Sequence, residues 1–184
     1  FLFIAFSGEE NGLWGSNYFV KNPTIDLETV NYMINMDMVG RLNEEKTLAI
    51  NGVGTSPSFV PALDMVNADS LKLVTSESGV GPSDHTSFYL QDLPVLHLFT
   101  GQHEDYHKPS DDAELINYEG AQKVMNYSAA LLDDVVNRAG KLTFQEAGSK
   151  FQRSRGGRFK VTLGVMPDFA GVEKRGMRVD AVSK

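Results

Sequence analysis

Short apolar runs and amphipathic stretches alternate along most of this chain of 184 residues. Residues 1–6 (FLFIAF) and 30–39 (VNYMINMDMV) carry so few polar positions that each reads as a strand buried on both faces. Residues 47–50, 71–75 and 93–100 give three further strands. Between them, Leu13, Tyr18 and Phe19 recur at helical spacing before Asn22-Pro23 stops the element, and Phe59, Leu63 and Val66 form one stripe of a helix over 58–68. Ser83 or Asp84 can cap a helix over 85–91. The longest helix covers 117–139, with Ala121, Val124, Met125, Ser128, Leu131, Leu132 and Val135 on its apolar face. Strands that alternate with helices predict a layered α/β sheet covered on both sides.

The pattern changes at Lys141. Residues 141–157 are polar, basic and glycine-bearing and read as a linker, whereas 158–184 hold two short strand patterns, too few residues to bury a core alone. Residues 1–140 therefore form the main domain. The first residue is Phe and the last segment ends on a strand pattern, so the chain is expected to be a piece of a longer one.

The net charge of -7 argues against an electrostatic grip on nucleic acid or anionic lipid, and small molecules or peptides are the better expectation. No apolar run approaches the roughly 20 residues of a membrane-spanning helix. With no cysteine, strong metal ligands can come only from His, Asp and Glu.

Acidic and histidine residues gather where apolar runs end: Glu9-Glu10 after residues 1–6, Asp37 after 30–36, and Tyr106-His107 in the loop beyond 93–100. In α/β sheets that end of the strands is where ligands bind, and desolvated carboxylates there call for a cation. Each residue has a plainer reading. The glutamates can be solvated, Asp37 can close a turn, His107 can be inert, and Asp84 can cap a helix whose first-turn His85 faces solvent. Placement favours the chemical reading: Glu9 as a base that takes a proton from a metal-activated water, Glu10 as its neighbouring ligand, Asp37 as another ligand, and Tyr106 as a donor to an oxyanion. Asp84 then holds a ligand or a substrate amine from behind. His97, inside an apolar run, reads as a core histidine. The absence of a P-loop, a G-x-G-x-x-G, a G-x-S-x-G elbow and an H-E-x-x-H helix leaves metal-assisted hydrolysis.

Four segments in order, AFSGEENGLWGSNYF, NMDMVGR, GPSDHTSFY and DYHKPSDDAELIN, resemble the M28 family of zinc aminopeptidases over residues 1–138. The resemblance implies a three-layer α/β/α sandwich with a mixed, mostly parallel central sheet, two zinc ions sharing a water, and peptide substrates with a free N-terminus. It implies Glu9 as general base, Glu10 and His107 as ligands of one zinc, Asp37 as ligand of the other, Tyr106 at the oxyanion and Asp84 in the outer shell. The family also draws a histidine and a bridging aspartate from an H-x-D motif upstream of the first apolar run, and the chain is expected to begin after it, so these 184 residues alone are expected to bind zinc weakly and to be inactive.

The tail FKVTLGVMPDF resembles the start of a PDZ domain, which implies capture of a peptide C-terminus if the domain is complete. A glutaminyl cyclase-like acyltransferase and a non-catalytic scaffold relative are the rival readings. A periplasmic or secreted location follows from the family resemblance alone.

Overall fold

The computed structural model describes residues 1–148, 165–167 and 179–182. Its centre is a sheet of four strands, β1 (Met33–Met36), β2 (Thr47–Asn51), β3 (Lys72–Ser76) and β4 (Val95–Phe99), in the order β1-β4-β2-β3. The β1–β4 and β2–β3 pairs are parallel and β2–β4 is antiparallel, which makes the sheet mixed, as expected.

Four helices cover it: α1 (Trp14–Lys21), α2 (Phe59–Met65), α3 (His85–Tyr89) and α4 (Tyr118–Val136). Side chains on a strand alternate between faces, and the two apolar clusters obey that rule. Leu48, Ile50, Leu96 and Leu98 join Phe59 and Leu63 of α2 and Val124, Leu131 and Val135 of α4 in one cluster. Val95, on the opposite face of β4, packs with Val20 of α1 and with Phe88 and Tyr89 of α3. Asn117 caps α4, its side-chain oxygen accepting from the Gly120 N–H at 2.9 Å.

The first apolar run departs from expectation. Residues 1–6 form no strand, and Phe1 and Phe3 are 84% and 83% exposed. Residues 1–6 pair with none of the described strands, although β1, bonded to β4 alone, leaves its other edge open. Phe6 is the exception, lying 5.9 Å from the rings of both Phe19 and Phe88. The second run is also shorter than expected. Of residues 30–39 only Met33–Met36 is a strand, and a 3-10 turn (Leu27–Thr29) precedes the run.

Residues 141–148, the first half of the expected linker, lie along the main domain. Leu142 and Ala147 are buried, the Gln145 N–H donates to the Thr55 carbonyl at 2.8 Å, and the Tyr89 hydroxyl accepts from the Ala147 N–H and donates to the Gly148 carbonyl. Beyond them, β5 (Val165–Pro167) and β6 (Val179–Val182) pair antiparallel. The rest of the expected PDZ-like segment, and of the linker, falls outside the described residues. No helix among the described residues is long and apolar enough to cross a membrane.

Candidate active site

The site lies at the end of the sheet where the parallel strands β1 and β4 finish. Asp37 follows β1 directly, its N–H donating to the Leu98 carbonyl of β4 at 3.2 Å. Beyond β4, residues 101–112 loop out with Tyr106 and His107. Glu9 and Glu10 reach the same place from a 3-10 turn (Glu9–Asn11) that follows left-handed Gly8. That turn leads straight into α1, where the Gly15 N–H donates to the Ser7 carbonyl at 2.9 Å. A side chain at Gly15 is excluded, because its Cβ would stand 2.6 Å from that carbonyl oxygen.

The structure brings Glu10 and His107 together, 97 positions apart in sequence, with His107 Nε2 2.7 Å from Glu10 Oε1. The Tyr106 ring stacks on the His107 ring at 3.8 Å. The pair is half exposed, where an ion pair contributes less than about 1 kcal/mol. His107 also holds a left-handed backbone, φ 56°, which is uncommon for a residue with a Cβ although His enters it more readily than most. Stability alone therefore gives little reason for this arrangement.

Glu9 sits among negative charge. Partial burial, then Asp37, Glu10 and Asp84, push its carboxyl up to about 7, with the Ser83 hydroxyl opposing. A carboxylate that gains its proton near neutrality is suited to general base work.

Behind these groups runs a buried polar chain that the sequence did not disclose. Ser83 Oγ donates to Asp37 Oδ2 at 2.9 Å and accepts from Asn35 Nδ2 at 2.8 Å. The other Asn35 N–H points to Nδ1 of His97 at 3.0 Å, so Nδ1 is an acceptor and His97 is the neutral Nε2–H tautomer. Burial agrees, lowering His97 to about 4. His97 is thus a core histidine, with a hydrogen-bond route toward Asp37. The only sequence signals for this chain were a polar Asn35 inside an apolar run and a Ser83 that also read as a cap.

Two expectations need correction. Asp84 precedes α3 but makes no side-chain cap; it accepts from Ser16 Oγ of α1 at 2.5 Å, and Ser16 in turn meets Ser87 Oγ at 2.8 Å. His85 is not a solvated first-turn residue. It is fully buried, stacked on His97 at 4.6 Å with both ring nitrogens unpartnered, and burial, followed by the electrostatic cost of protonating two adjoining imidazoles, holds it well below its ordinary value. All five residues of α3 are buried, because the helix packs against β4, β1 and α1 together.

A shallow pocket of about 400 Å³ opens beside Glu9 and Glu10, lined on its far side by Leu13, Pro82 and Leu90. Glu10 and His107 are donors of the type that zinc takes, yet no group of three His, Cys, Asp or Glu that could hold a metal ion forms among the described residues. The donor set fits a metal centre in part: one acid–imidazole pair, with Asp37 near the acidic cluster.

The chain is thus a mixed α/β protein with an acid–histidine pair and an acidic cluster at one end of its sheet. The chain belongs to peptidase family M28, whose profile matches residues 1–132. It is 29% identical over 152 residues to aminopeptidase YwaD of Bacillus subtilis, covering 76% of this chain and 32% of that protein. Among solved structures it is similar to BSAP, a zinc aminopeptidase from Bacillus subtilis, at TM-score 0.60 and 23% identity, over 79% of this chain and 36% of that one. It is also similar to glutaminyl cyclase of Porphyromonas gingivalis, at TM-score 0.56 and 17% identity, over 71% of this chain and 51% of that one. The chain thus spans about a third of the length of the curated relative it matches.

Proposed function

We propose that these residues form part of a metal-dependent aminopeptidase, a hydrolase acting on the first peptide bond of peptides with a free N-terminus. The observation that carries the reading is the meeting of Glu10 and His107 at 2.7 Å. Right beside it is Glu9, a carboxyl raised to about 7. Glu10 and His107 would hold one zinc ion and Asp37 another. Zinc bound there supplies a water of lowered pKa and polarises the scissile carbonyl.

The chain's own residues do the rest. Glu9 takes the proton of the attacking water and returns it to the leaving amine, a task suited to a carboxyl that titrates near neutral pH. The Tyr106 hydroxyl donates to the oxyanion that develops on the carbonyl oxygen. Ser83, fed by Asn35, directs its proton onto Asp37 Oδ2 and so orients the other carboxylate oxygen outward. Asp84 stands behind the site, tied to Ser16.

The test is Glu9→Gln in the complete protein, assayed on an aminoacyl anilide. The expected result is a fall in kcat of about 10²- to 10⁴-fold with zinc content unchanged. Retained cleavage removes Glu9 as the base. The cyclase reading is favoured by the fold likeness to the Porphyromonas gingivalis enzyme. Formation of pyroglutamate from an N-terminal glutamine, with no cleavage of the anilide, would establish it instead.

A further inference from the structure

Residues 101–112 carry Tyr106 and His107 out of the sheet, and something must decide where that loop stands. The bonds inside it shape it without locating it. The Tyr106 N–H donates to the His103 carbonyl at 3.1 Å, the Lys108 N–H to Asp105 at 2.9 Å, and Ser110 Oγ to Asp105 Oδ1 at 2.7 Å. Every one of these partners lies within the loop.

Apart from the His107–Glu10 contact, which ties the loop to the Glu9–Asn11 turn, the bonds that locate it converge on the turn after β1. Thr100, at the loop's first foot, donates from its N–H to the Met38 carbonyl at 3.3 Å. Asn117, just past its second foot, donates from its N–H to the Gly40 carbonyl at 2.9 Å and from Nδ2 to the Leu42 carbonyl at 2.8 Å. Between the feet, Arg41 Nη2 donates to Asp105 Oδ2 at 3.1 Å and to Asp111 Oδ1 at 2.9 Å. Those two carboxylates flank the segment that bears Tyr106 and His107. One guanidinium therefore grips both ends of that segment, from a residue four positions beyond Asp37. Without it, Asp105 and Asp111 would repel each other beside an already acidic site.

We propose that Arg41 is a positioning residue: it clamps loop 101–112 to the β1 turn, so that Tyr106 and His107 are held in register with Asp37 and Glu10. It touches no substrate. The role rests on the aminopeptidase reading for its consequence but not for its geometry, and the test separates the two.

Amide hydrogen exchange on this chain reads the geometry. In Arg41→Ala, exchange across 101–112 should quicken about tenfold or more while β2, β4 and α4 keep their protection. Arg41→Lys, which keeps the positive charge but not the planar guanidinium, should recover part of the wild-type protection. Unchanged loop exchange in Arg41→Ala overturns the clamp. If Arg41→Ala fails to fold, Asp111→Asn carries the test: local loosening supports the clamp, and either no change or uniform loosening of the whole domain overturns it.

In the complete protein, Arg41→Ala should lower kcat about 10- to 100-fold with KM moved far less, as expected when catalytic groups are misplaced and not removed. Arg41→Lys should restore part of it. A loosened loop with unaltered kcat overturns the positioning role. A loosened loop in Arg41→Ala, together with a wild-type complete protein that cleaves no peptide, leaves the clamp standing and removes the peptidase reading.

Discussion

Residues 1–6 and β4 are two runs of nearly equal apolarity that meet opposite fates. In β4, Val95, Leu96 and Leu98 are fully buried; in the first run, Phe1 and Phe3 are almost fully exposed. The difference lies in their neighbours. β4 has β1 on one edge, β2 on the other, and helices over both faces. Residues 1–6 have no paired strand among those described, and only Phe6 reaches a cluster. An apolar run states a demand for cover, and its composition says nothing of the supply. The comparison also shows what holds Glu9 and Glu10 in place: the Phe6 anchor and the turn into α1, with no strand behind them.

The sharpest way to break the comparison is to truncate β4. Leu98 is completely buried against α2 and α4, so Leu98→Ala should cost about 2–5 kcal/mol through lost transfer energy and the cavity left behind. Urea unfolding followed by circular dichroism measures it. A loss under about 1 kcal/mol would mean that β4 is far less covered than it is here.

Each run also brings one titratable group whose protonation should report its surroundings, and the two act with opposite sign. His97, inside β4, is lowered from 6.5 to about 4, so the unfolded chain binds the extra proton between those values. Stability is complete above pH 6.5 and is lost as pH falls toward 4. Glu9, beyond the exposed run, is raised from 4.5 to about 7, so here the folded chain binds the extra proton. Its contribution is complete below pH 4.5 and is lost as pH rises through 7. Glu9 is largely solvated, and screening reduces its effect to about 1 kcal/mol. In metal-free protein, Glu9→Gln should therefore raise stability at pH 8 by about that amount and flatten the decline between pH 4.5 and 7. A thermal melt series across pH checks it, and an unchanged alkaline decline would locate the repulsion elsewhere.

The same contrast explains how much was legible in the sequence. Elements whose evidence is local were readable: the α4 stripe, the α2 stripe of Phe59 and Leu63, and the short strands β2, β3 and β4. The acidic pair and His107 were readable as candidates because polar residues at the ends of apolar runs stand out. What depends on distant partners was not readable. Nothing near His85 announces that it will stack on His97, nothing near Asp84 announces Ser16, and the guanidinium of Arg41 finds carboxylates 64 and 70 positions away. Residues 141–148 look like a linker, yet Leu142 and Ala147 are buried by contacts that no periodicity encodes. Local pattern gives the element; the pairing of elements is a property of the whole chain.

The smallest effect belongs to the exposed run. Phe3 is 83% exposed, so removing it takes almost no area out of a covered environment. Phe3→Ser should change the urea midpoint of this chain by less than about 0.5 kcal/mol equivalent, the usual range for surface positions. Solution behaviour should change more than stability does. Phe1, Leu2 and Phe3 together expose an apolar stretch of the kind that drives association, and a serine at position 3 interrupts it. Sedimentation velocity at rising concentration should show wild-type chain associating and Phe3→Ser less so. A stability loss above about 1.5 kcal/mol in the variant would show that Phe3 is covered in solution. If that loss also grew with protein concentration, the cover would be a second copy of the chain; if it did not, it would lie within the same chain, and the contrast with β4 would dissolve.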